Sequence, residues 1–151
     1  MNRNGWILVS VLIAGLGVLI FRLTGPSEPS VNSMTPPDLA DVEDGEAIAD
    51  VVLPESFSEI AMIGKRVFEA KCADCHGKNG AGQNGVAPPL VHRIYEPGHH
   101  GEGAFLSAAQ NGVQAHHWEF GNMPPIEGLT GGDVKVIVAY VRELQRANGI
   151  N

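Results

Sequence analysis

The sequence predicts an all-α domain, with three main helices joined by long loops, preceded by one N-terminal transmembrane helix. Three observations lead to this fold class. Apolar residues recur at three- and four-residue steps in several segments, no segment alternates apolar and polar residues over a useful length, and one unbroken apolar run lies near the N-terminus. The 151 residues divide accordingly into a membrane anchor (1–23), an acidic linker containing prolines (24–55) and a helical domain (56–151).

The predicted anchor rests on an apolar run over residues 6–21 in which one serine is the only polar side chain. Extended to residues 6–23, it just reaches the length needed to cross a membrane core, about 17–25 residues, since Arg22 can place its charge at the interface. A cleaved signal peptide is the alternative, but its apolar region is usually only about 7–15 residues long. Residues 23–26 also match a cleavage site poorly. We therefore expect an uncleaved anchor.

The linker carries most of the negative charge. Residues 24–57 hold eight acidic residues and no Lys or Arg, whereas residues 58–151 hold nine acids and eight bases, so the net charge of -7 belongs mainly to the linker. Its prolines and its few large apolar residues leave it unable to offset the entropy of ordering. We expect an extended, solvated spacer without contacts, in which a short helix over residues 38–52 is possible. The sequence has no clustered basic stretch, so nucleic-acid binding is not expected.

The first main helix is expected to begin after Pro54, which ends the linker. Ser56 followed by Glu59 has the form of a capping box, in which each side chain satisfies a free backbone N–H group of the other. Apolar residues then recur at helical spacing as far as the first cysteine. The expected buried face consists of Phe57, Ile60, Ile63, Val67 and Phe68.

The other two helices have clearer limits. The second is expected over residues 103–111, ended by Gly112, and its inward residues are Phe105, Leu106 and Ala109. The last helix should begin at Thr130 as its N-cap, with Asp133 in its first turn, and Arg142 near its C-terminus suits the helix dipole. The apolar face of this last helix consists of Val134, Ile137, Val138, Val141 and Leu144.

The most informative residues are Cys-Ala-Asp-Cys-His at positions 72–76, the attachment signature of a c-type haem. Two thiols three residues apart can each add across one haem vinyl group, and the following histidine then lies beneath the iron. A thioredoxin-like pair needs a βαβ setting, and a zinc site needs further Cys or His ligands at short spacing. Neither context is present. We expect one haem c, bonded through Cys72 and Cys75, with His76 as an iron ligand.

A second iron ligand is expected because electron carriers usually hold haem iron between two protein ligands. Of the four methionines, Met123 alone follows the motif. Pro124 and Pro125 stiffen the backbone after it, so the thioether can be presented from a rigid loop. A sulfur ligand raises the reduction potential relative to a second histidine. His116 or His117 is the alternative ligand.

Together these residues resemble a class I monohaem cytochrome c over about residues 56–148. The resemblance is carried by the Cys-X-X-Cys-His motif, a Pro-X-Leu segment from Pro88 to Leu90, the Met-Pro loop at Met123 and a terminal helix that contains Tyr140. It implies the cytochrome c fold, in which helices and loops wrap around a covalent haem. Without that haem, a domain of this size has a thin core, and we expect the apo chain to be largely unfolded.

The resemblance also implies particular contacts. The first and last helices are expected to cross near Gly64, Phe68 and Tyr140. The carbonyl of Pro88, counted among the cofactor-binding residues, is expected to accept a hydrogen bond from the His76 ring, which fixes the orientation and basicity of the ligand. Trp118 and Arg93 are candidates for contact with the haem propionates.

Histidines form the main departure from the plainest members of this family. His99 and His100 form one pair and His116 and His117 another, besides His92. One interpretation is a second metal site for copper or zinc, since imidazole suits both ions. The other is that they are polar loop residues that hydrogen-bond a propionate or the backbone. The sequence leaves both open.

The resemblance implies an electron carrier, not an enzyme, which would pass one electron between respiratory partners, a donor complex and a terminal oxidase or reductase. Because such cytochromes mature on the outer face of the bacterial cytoplasmic membrane, a single-pass protein with a periplasmic haem domain is expected. A haem c subunit of a larger membrane oxidoreductase complex is one alternative, and a haem sensor or peroxidase-like protein with an open iron site is another. The bases that could steer docking are Lys65, Arg66, Lys71 and Lys78; the alternative is that they are scattered, solvated surface charges.

Overall fold

The fold is known from a computed structural model that describes residue 15 and residues 34–151. Over residues 34–151 there are four α-helices: α1 (Glu59–Lys71), α2 (Ala73–His76), α3 (Glu102–Asn111) and α4 (Gly131–Ala147). Two 3-10 turns, Lys78–Gly80 and Arg93–Tyr95, lie between α2 and α3. The described residues contain two isolated β-bridges and no strand. The all-α prediction is confirmed.

The membrane helix predicted over residues 6–23 lies outside the described residues, apart from Gly15. Within the described part of the chain, no helix combines the length and the apolar character that a membrane crossing requires.

The close crossing of α1 and α4 organises the domain. Gly64 lies at the contact, where a Cβ atom would be only 1.8 Å from the backbone oxygen of Val136, so a side chain at this position could not be accommodated. Phe68 and Tyr140 are fully buried beside it, with ring centroids 5.6 Å apart. The ring of Phe57 packs on Tyr140 at 5.3 Å. The crossing implied by the resemblance is therefore confirmed.

The start of α1 differs from the prediction. Its N-cap is Ser58, whose Oγ accepts a hydrogen bond from the backbone N–H of Ala61, so the capping box proposed for Ser56 and Glu59 is wrong. The reason lies on α4, where the carboxylate of Glu143 accepts hydrogen bonds from the backbone N–H and the hydroxyl of Ser58, at 3.1 and 2.7 Å. A tertiary partner thus fixes the start of the helix.

The buried face of α1 is also partly wrong. Ala61, Gly64 and Phe68 are buried, whereas Ile60 and Ile63 are 47% and 45% exposed. The close approach of α4 requires small residues at the contact, and this turns the larger β-branched side chains outward. The packing of Phe57, Val67 and Phe68 against the core agrees with the prediction.

The predictions for α3 and α4 are confirmed. Gly112 ends α3 with a φ of 75°, and Thr130 and Asp133 form a capping box at the start of α4. The five apolar residues predicted for α4 are all buried. Arg142 has a different role from the expected one, because its guanidinium donates to the backbone oxygens of Tyr95 and His100 and so ties the preceding loop to α4.

The described part of the linker is in contact with the domain. Ala49 is buried, and the backbone N–H groups of Ile48 and Ala49 donate to the carbonyl of Ala81 at 3.2 and 2.9 Å. The side chain of Asn148 pairs with both backbone groups of Val52, at 3.0 and 2.8 Å. No helix forms over residues 38–52. The expectations of a helix there and of a spacer without contacts are therefore wrong. Backbone hydrogen bonds to the domain hold this stretch, and the pattern of apolar residues does not reveal such bonds. The domain boundary at residue 56 stays a prediction.

Candidate functional site

The Cys-X-X-Cys-His segment forms a single helical turn, α2, directly after α1. The backbone N–H groups of Cys75 and His76 donate to the carbonyl of Cys72, at 3.2 and 2.9 Å, which holds the three side chains on one short turn. Burial, together with the charge of Cys75, raises the pKa of Cys72 to about 11. Redox-active cysteines usually have a thiol pKa that is lowered, so the raised pKa of Cys72 differs from that of a thioredoxin-like pair.

His76 is held in the form that a metal requires. Its Nδ1 lies 2.9 Å from the carbonyl oxygen of Pro88 and donates to it, so the Nε2 lone pair is free to bind a metal. Burial lowers the pKa of His76, although the hydrogen bond to Pro88 opposes this effect. The ring is thus neutral at physiological pH. The hydrogen bond that the resemblance implied is present.

The loop after α2 is closed by contacts that the sequence did not reveal. The Nε2 of Gln83 donates to the carbonyls of Asp74 and Cys75, at 2.8 and 3.1 Å, and so satisfies the end of the turn. Gly77 has a φ of 72°, and a Cβ there would lie 2.6 Å from the backbone oxygen of Gly82. The loop glycines were a visible signal of this tight return, but nothing marked Gln83.

Met123 lies on a separate loop. Its backbone pairs with that of Val113 through two hydrogen bonds, of 2.9 and 3.0 Å. Gly112 makes this approach possible, because a Cβ there would lie 2.5 Å from the backbone oxygen of Met123. The methionine is therefore tied to the end of α3 as well as stiffened by prolines. The structure brings Cys72, Cys75, His76 and Pro88 together, whereas the backbone bonds of Met123 run to Val113, two residues after the end of α3.

Trp118 provides a further test of whether these residues fit a haem. Its indole nitrogen is buried and has no acceptor in hydrogen-bonding geometry among the described residues. Burial raises the pKa of the Tyr95 phenol, and the nearby Trp118 indole partly opposes that rise. A buried donor of this kind suits a propionate. Arg93 instead pairs with Glu96 at 3.3 Å. The free Nε2 of His76 and the unsatisfied indole both fit the expected cofactor.

The two histidine pairs come together in one cluster, while His92 is buried apart from them against Trp118. The rings of His99 and His117 lie 5.1 Å apart, and that of His100 lies 5.4 Å from His117. Desolvation lowers the pKa values of His100 and His117, and the neighbouring histidines lower them further. The cluster therefore favours neutral rings.

Comparison with known proteins agrees with the site. A family model described as cytochrome c matches residues 61–145, more than half of the chain. The matched range includes the motif, Pro88, Met123 and most of α4. No curated protein and no solved structure matches the chain.

Proposed function

Since this chain belongs to the cytochrome c family, we propose that it is a membrane-tethered periplasmic electron carrier. It would pass one electron at a time between a donor complex and a terminal oxidase or reductase. The chain binds one haem c covalently through Cys72 and Cys75, and the bound haem supplies a one-electron iron couple. The observation that carries the proposal is the hydrogen bond from His76 Nδ1 to Pro88 at 2.9 Å.

That hydrogen bond prepares His76 as a permanent iron ligand. It fixes the tautomer, leaves Nε2 unprotonated and holds the ring in one orientation. Gln83 and the Cys72 carbonyl hold the turn on which the ring stands. A ligand held in this way need not reorient when the charge at the metal changes, and a small reorganisation favours rapid electron transfer.

We assign Met123 as the second residue that would hold the haem iron. Its loop is stiffened by Pro124 and Pro125 and is paired with Val113, so the thioether can be held in place in both oxidation states. Sulfur ligation favours the ferrous form and raises the reduction potential relative to a second histidine. If His76 and Met123 both held the iron, no position would be left open for a small ligand, as in a carrier and unlike a haem sensor or a peroxidase-like enzyme.

The axial assignment is tested by visible spectra of the full-length holoprotein. The weak far-red band of Met-ligated ferric haem should be present in the wild type and lost in Met123→Ala. Met62→Ala is the matched control, because Met62 is 42% exposed on α1 and should leave the band unchanged. Added carbon monoxide should bind ferrous Met123→Ala readily and the wild type slowly. If the band persists in Met123→Ala, another methionine is the ligand, and if the wild type already lacks the band, a histidine such as His116 or His117 is the ligand.

The proposed membrane anchor and the proposed periplasmic location of the haem domain are tested by separate experiments. Cells that produce the full chain should yield it in the membrane fraction after an alkaline carbonate wash, and a protease added to spheroplasts should digest the haem domain. Deletion of residues 1–23, replaced by a cleavable secretion signal, should release a haem-bearing domain into the soluble periplasmic fraction. A full chain that is recovered soluble, or that is protected from the protease, would contradict the proposed anchor or its orientation.

Docking to an acidic partner is expected to use exposed bases near the motif. Lys78 and Arg66 are exposed, whereas Lys65 pairs with Glu69 at 2.9 Å and Lys71 donates to the Glu127 carbonyl. Lys78→Gln should therefore reduce the rate of electron transfer to a natural partner at low salt more than Lys65→Gln. The difference should fade as ionic strength rises, because exposed charges are screened. A rate that does not depend on salt would contradict electrostatic steering.

A haem c subunit of a larger membrane complex is the second candidate. Ile60, Met62 and Ile63 are between 42% and 47% exposed on one segment of α1, and adjoining exposed apolar side chains are typical of protein contacts. Extraction in a mild detergent followed by sizing separates the candidates. A stable heteromeric complex would favour the subunit, and a monodisperse single chain would favour the mobile carrier.

A further inference from the structure

We propose that His99, His100 and His117 form a binding site for a divalent transition-metal ion, Cu(II) or Zn(II), separate from the haem. Each residue offers one ring nitrogen, and these three nitrogens lie within 4.8 Å of one another. The site joins two loops, one before α3 and one after it. It gives a role to three of the four paired histidines, which haem binding leaves unexplained.

The spacing of two of these ligands is close to that of a bound ion. The Nε2 atoms of His99 and His117 are 3.1 Å apart. Two nitrogen ligands, each about 2.0–2.1 Å from a tetrahedral zinc ion, are separated by roughly 3.4 Å. In this contact one of the two Nε2 atoms carries the shared proton, so a bound ion would displace that proton, which would move to Nδ1 of the same ring or to solvent. The two nitrogens would then need to separate by only a few tenths of an ångström.

The ring of His100, the third ligand, is held by a backbone carbonyl in the tautomer that can bind a metal ion. Nδ1 of His100 lies 2.6 Å from the carbonyl oxygen of Ile94 and donates to it, which leaves the Nε2 lone pair available. Metal-binding histidines usually donate their other ring N–H to a carbonyl or carboxylate in this way. The hydrogen bond from His76 Nδ1 to the Pro88 carbonyl has the same effect on the proposed iron ligand.

The loop that carries two of the ligands is held in place. The backbone N–H groups of His99 and His100 both donate to the carbonyl of Glu96, at 3.1 and 2.8 Å. The guanidinium of Arg142 on α4 donates to the carbonyl of His100. Since the ligands stand on an ordered loop, the entropy lost on binding an ion is reduced.

The ligand set selects the class of ion. Three neutral imidazoles suit Cu(II) and Zn(II), whereas Mg²⁺ and Ca²⁺ require oxygen ligands. By the usual order of stabilities, copper should bind more tightly than zinc. Arg142 places a positive charge near His100, which weakens binding of any cation but does not change this order.

His116 provides a matched control within the same loop. Its Nδ1 donates to the carbonyl of Gln114 at 2.9 Å, and its exposed ring stacks on His100 at a centroid distance of 5.9 Å. It lies outside the group of three nitrogens. A His116→Ala variant therefore changes the same residue type in the same place without removing an assigned ligand.

The test is calorimetric titration of zinc into the full-length holoprotein in the wild type and in the variants His99→Ala, His117→Ala and His116→Ala. We expect one ion per wild-type chain, an affinity at least about tenfold weaker in each of the first two variants, and little change in the third. An unaltered haem spectrum verifies that each variant is folded. Unchanged affinity in His99→Ala and His117→Ala, or an equal loss in His116→Ala, would overturn the assignment.

X-ray absorption at the zinc edge gives a second readout that does not depend on the variants. Imidazole nitrogens at about 2.0–2.1 Å, with the multiple scattering typical of histidine, are expected for the wild type. A spectrum with oxygen ligands alone would place the ion elsewhere and overturn the proposal. Because these measurements follow a second metal, their failure would leave the proposed electron-transfer function unaffected.

Discussion

The helix crossing can be tested most sharply at Gly64. In Gly64→Ala the new Cβ would lie 1.8 Å from the oxygen and 2.5 Å from the carbon of the Val136 carbonyl. An ordinary carbon–oxygen contact is about 3.3 Å, so α1 and α4 would have to separate by roughly 1.5 Å. The atoms that clash belong to the backbone, and no rotamer change can move them away.

The size of the effect follows from two opposed contributions. Overpacking a core typically costs about 1–3 kcal/mol and occasionally more, and a clash with helix backbone belongs at or above the upper end. Alanine is favoured over glycine inside a helix by about 1 kcal/mol, which opposes part of this. We expect a net loss of about 2–3 kcal/mol in the free energy of unfolding, or a fall of roughly 10–20 °C in Tm for a domain of this size.

The measurement is urea unfolding of the holoprotein followed by helix circular dichroism. Gly103→Ala is the matched control, because Gly103 also lies in a helix, α3, and no heavy atom lies within 4 Å of the new Cβ. This substitution should be neutral or should stabilise the protein by up to about 1 kcal/mol. If Gly64→Ala proved as stable as the wild type, the helices could not approach as closely as described.

Three further predictions concern single side chains. Ser58→Ala should lower stability by about 1 kcal/mol through loss of the α1 cap, whereas Ser56→Ala should have little effect, and equal effects in urea unfolding would contradict the assigned N-cap. Gln145→Leu should cost about 1–3 kcal/mol, because the fully buried amide donates to the carbonyl of Leu90 at 2.8 Å, which would lose its donor, whereas the Tyr95 carbonyl would keep Arg142 as a donor; a Tm within a degree or two of the wild type would exclude this. Asp133→Asn should destabilise the protein at pH 7, and its difference from the wild type should shrink as the pH is lowered below 3.8. Hydrogen bonds from Thr130 hold the pKa of Asp133 below its ordinary 3.8, so the carboxylate's contribution is present above that value and is lost as pH falls through the folded-state pKa. A Tm difference that did not depend on pH would contradict this role.

The sequence was most informative where local signals agree with one another. Thr130, Asp133 and five apolar residues at helical spacing all specify α4, and each has the expected role. The Cys-X-X-Cys-His motif likewise required no tertiary information, since the order of its residues follows from the chemistry of attachment. The resemblance added the hydrogen bond from His76 to Pro88, which periodicity alone could not give.

The sequence was least informative where partners are distant along the chain. Ser58 caps α1 because it meets Glu143 on α4, and Ile60 faces outward because the crossing admits only small residues. Residues 42–52 look like a spacer by composition, yet their backbone groups pair with the domain. Gln83 resembles any polar loop residue until the α2 carbonyls are placed beside it. In each case a long-range contact overrides a weak local preference.

The buried core is distributed unequally between the two parts of the domain. The cluster around the α1 and α4 crossing contains large buried side chains, with Phe68, Tyr140 and Leu144 fully enclosed. The cluster beneath α3 consists of only three buried residues, Ala109, Val134 and Val138, with partly buried side chains at its edge. Little apolar area is removed from water there, so the protein alone contributes little to holding α3. Met123 is paired with Val113, two residues after the end of α3, which links the position of the proposed iron ligand to this weakly packed helix. A bond from iron to Met123 would therefore fasten α3 as well as complete the site, and binding and stability would be coupled through the same loop.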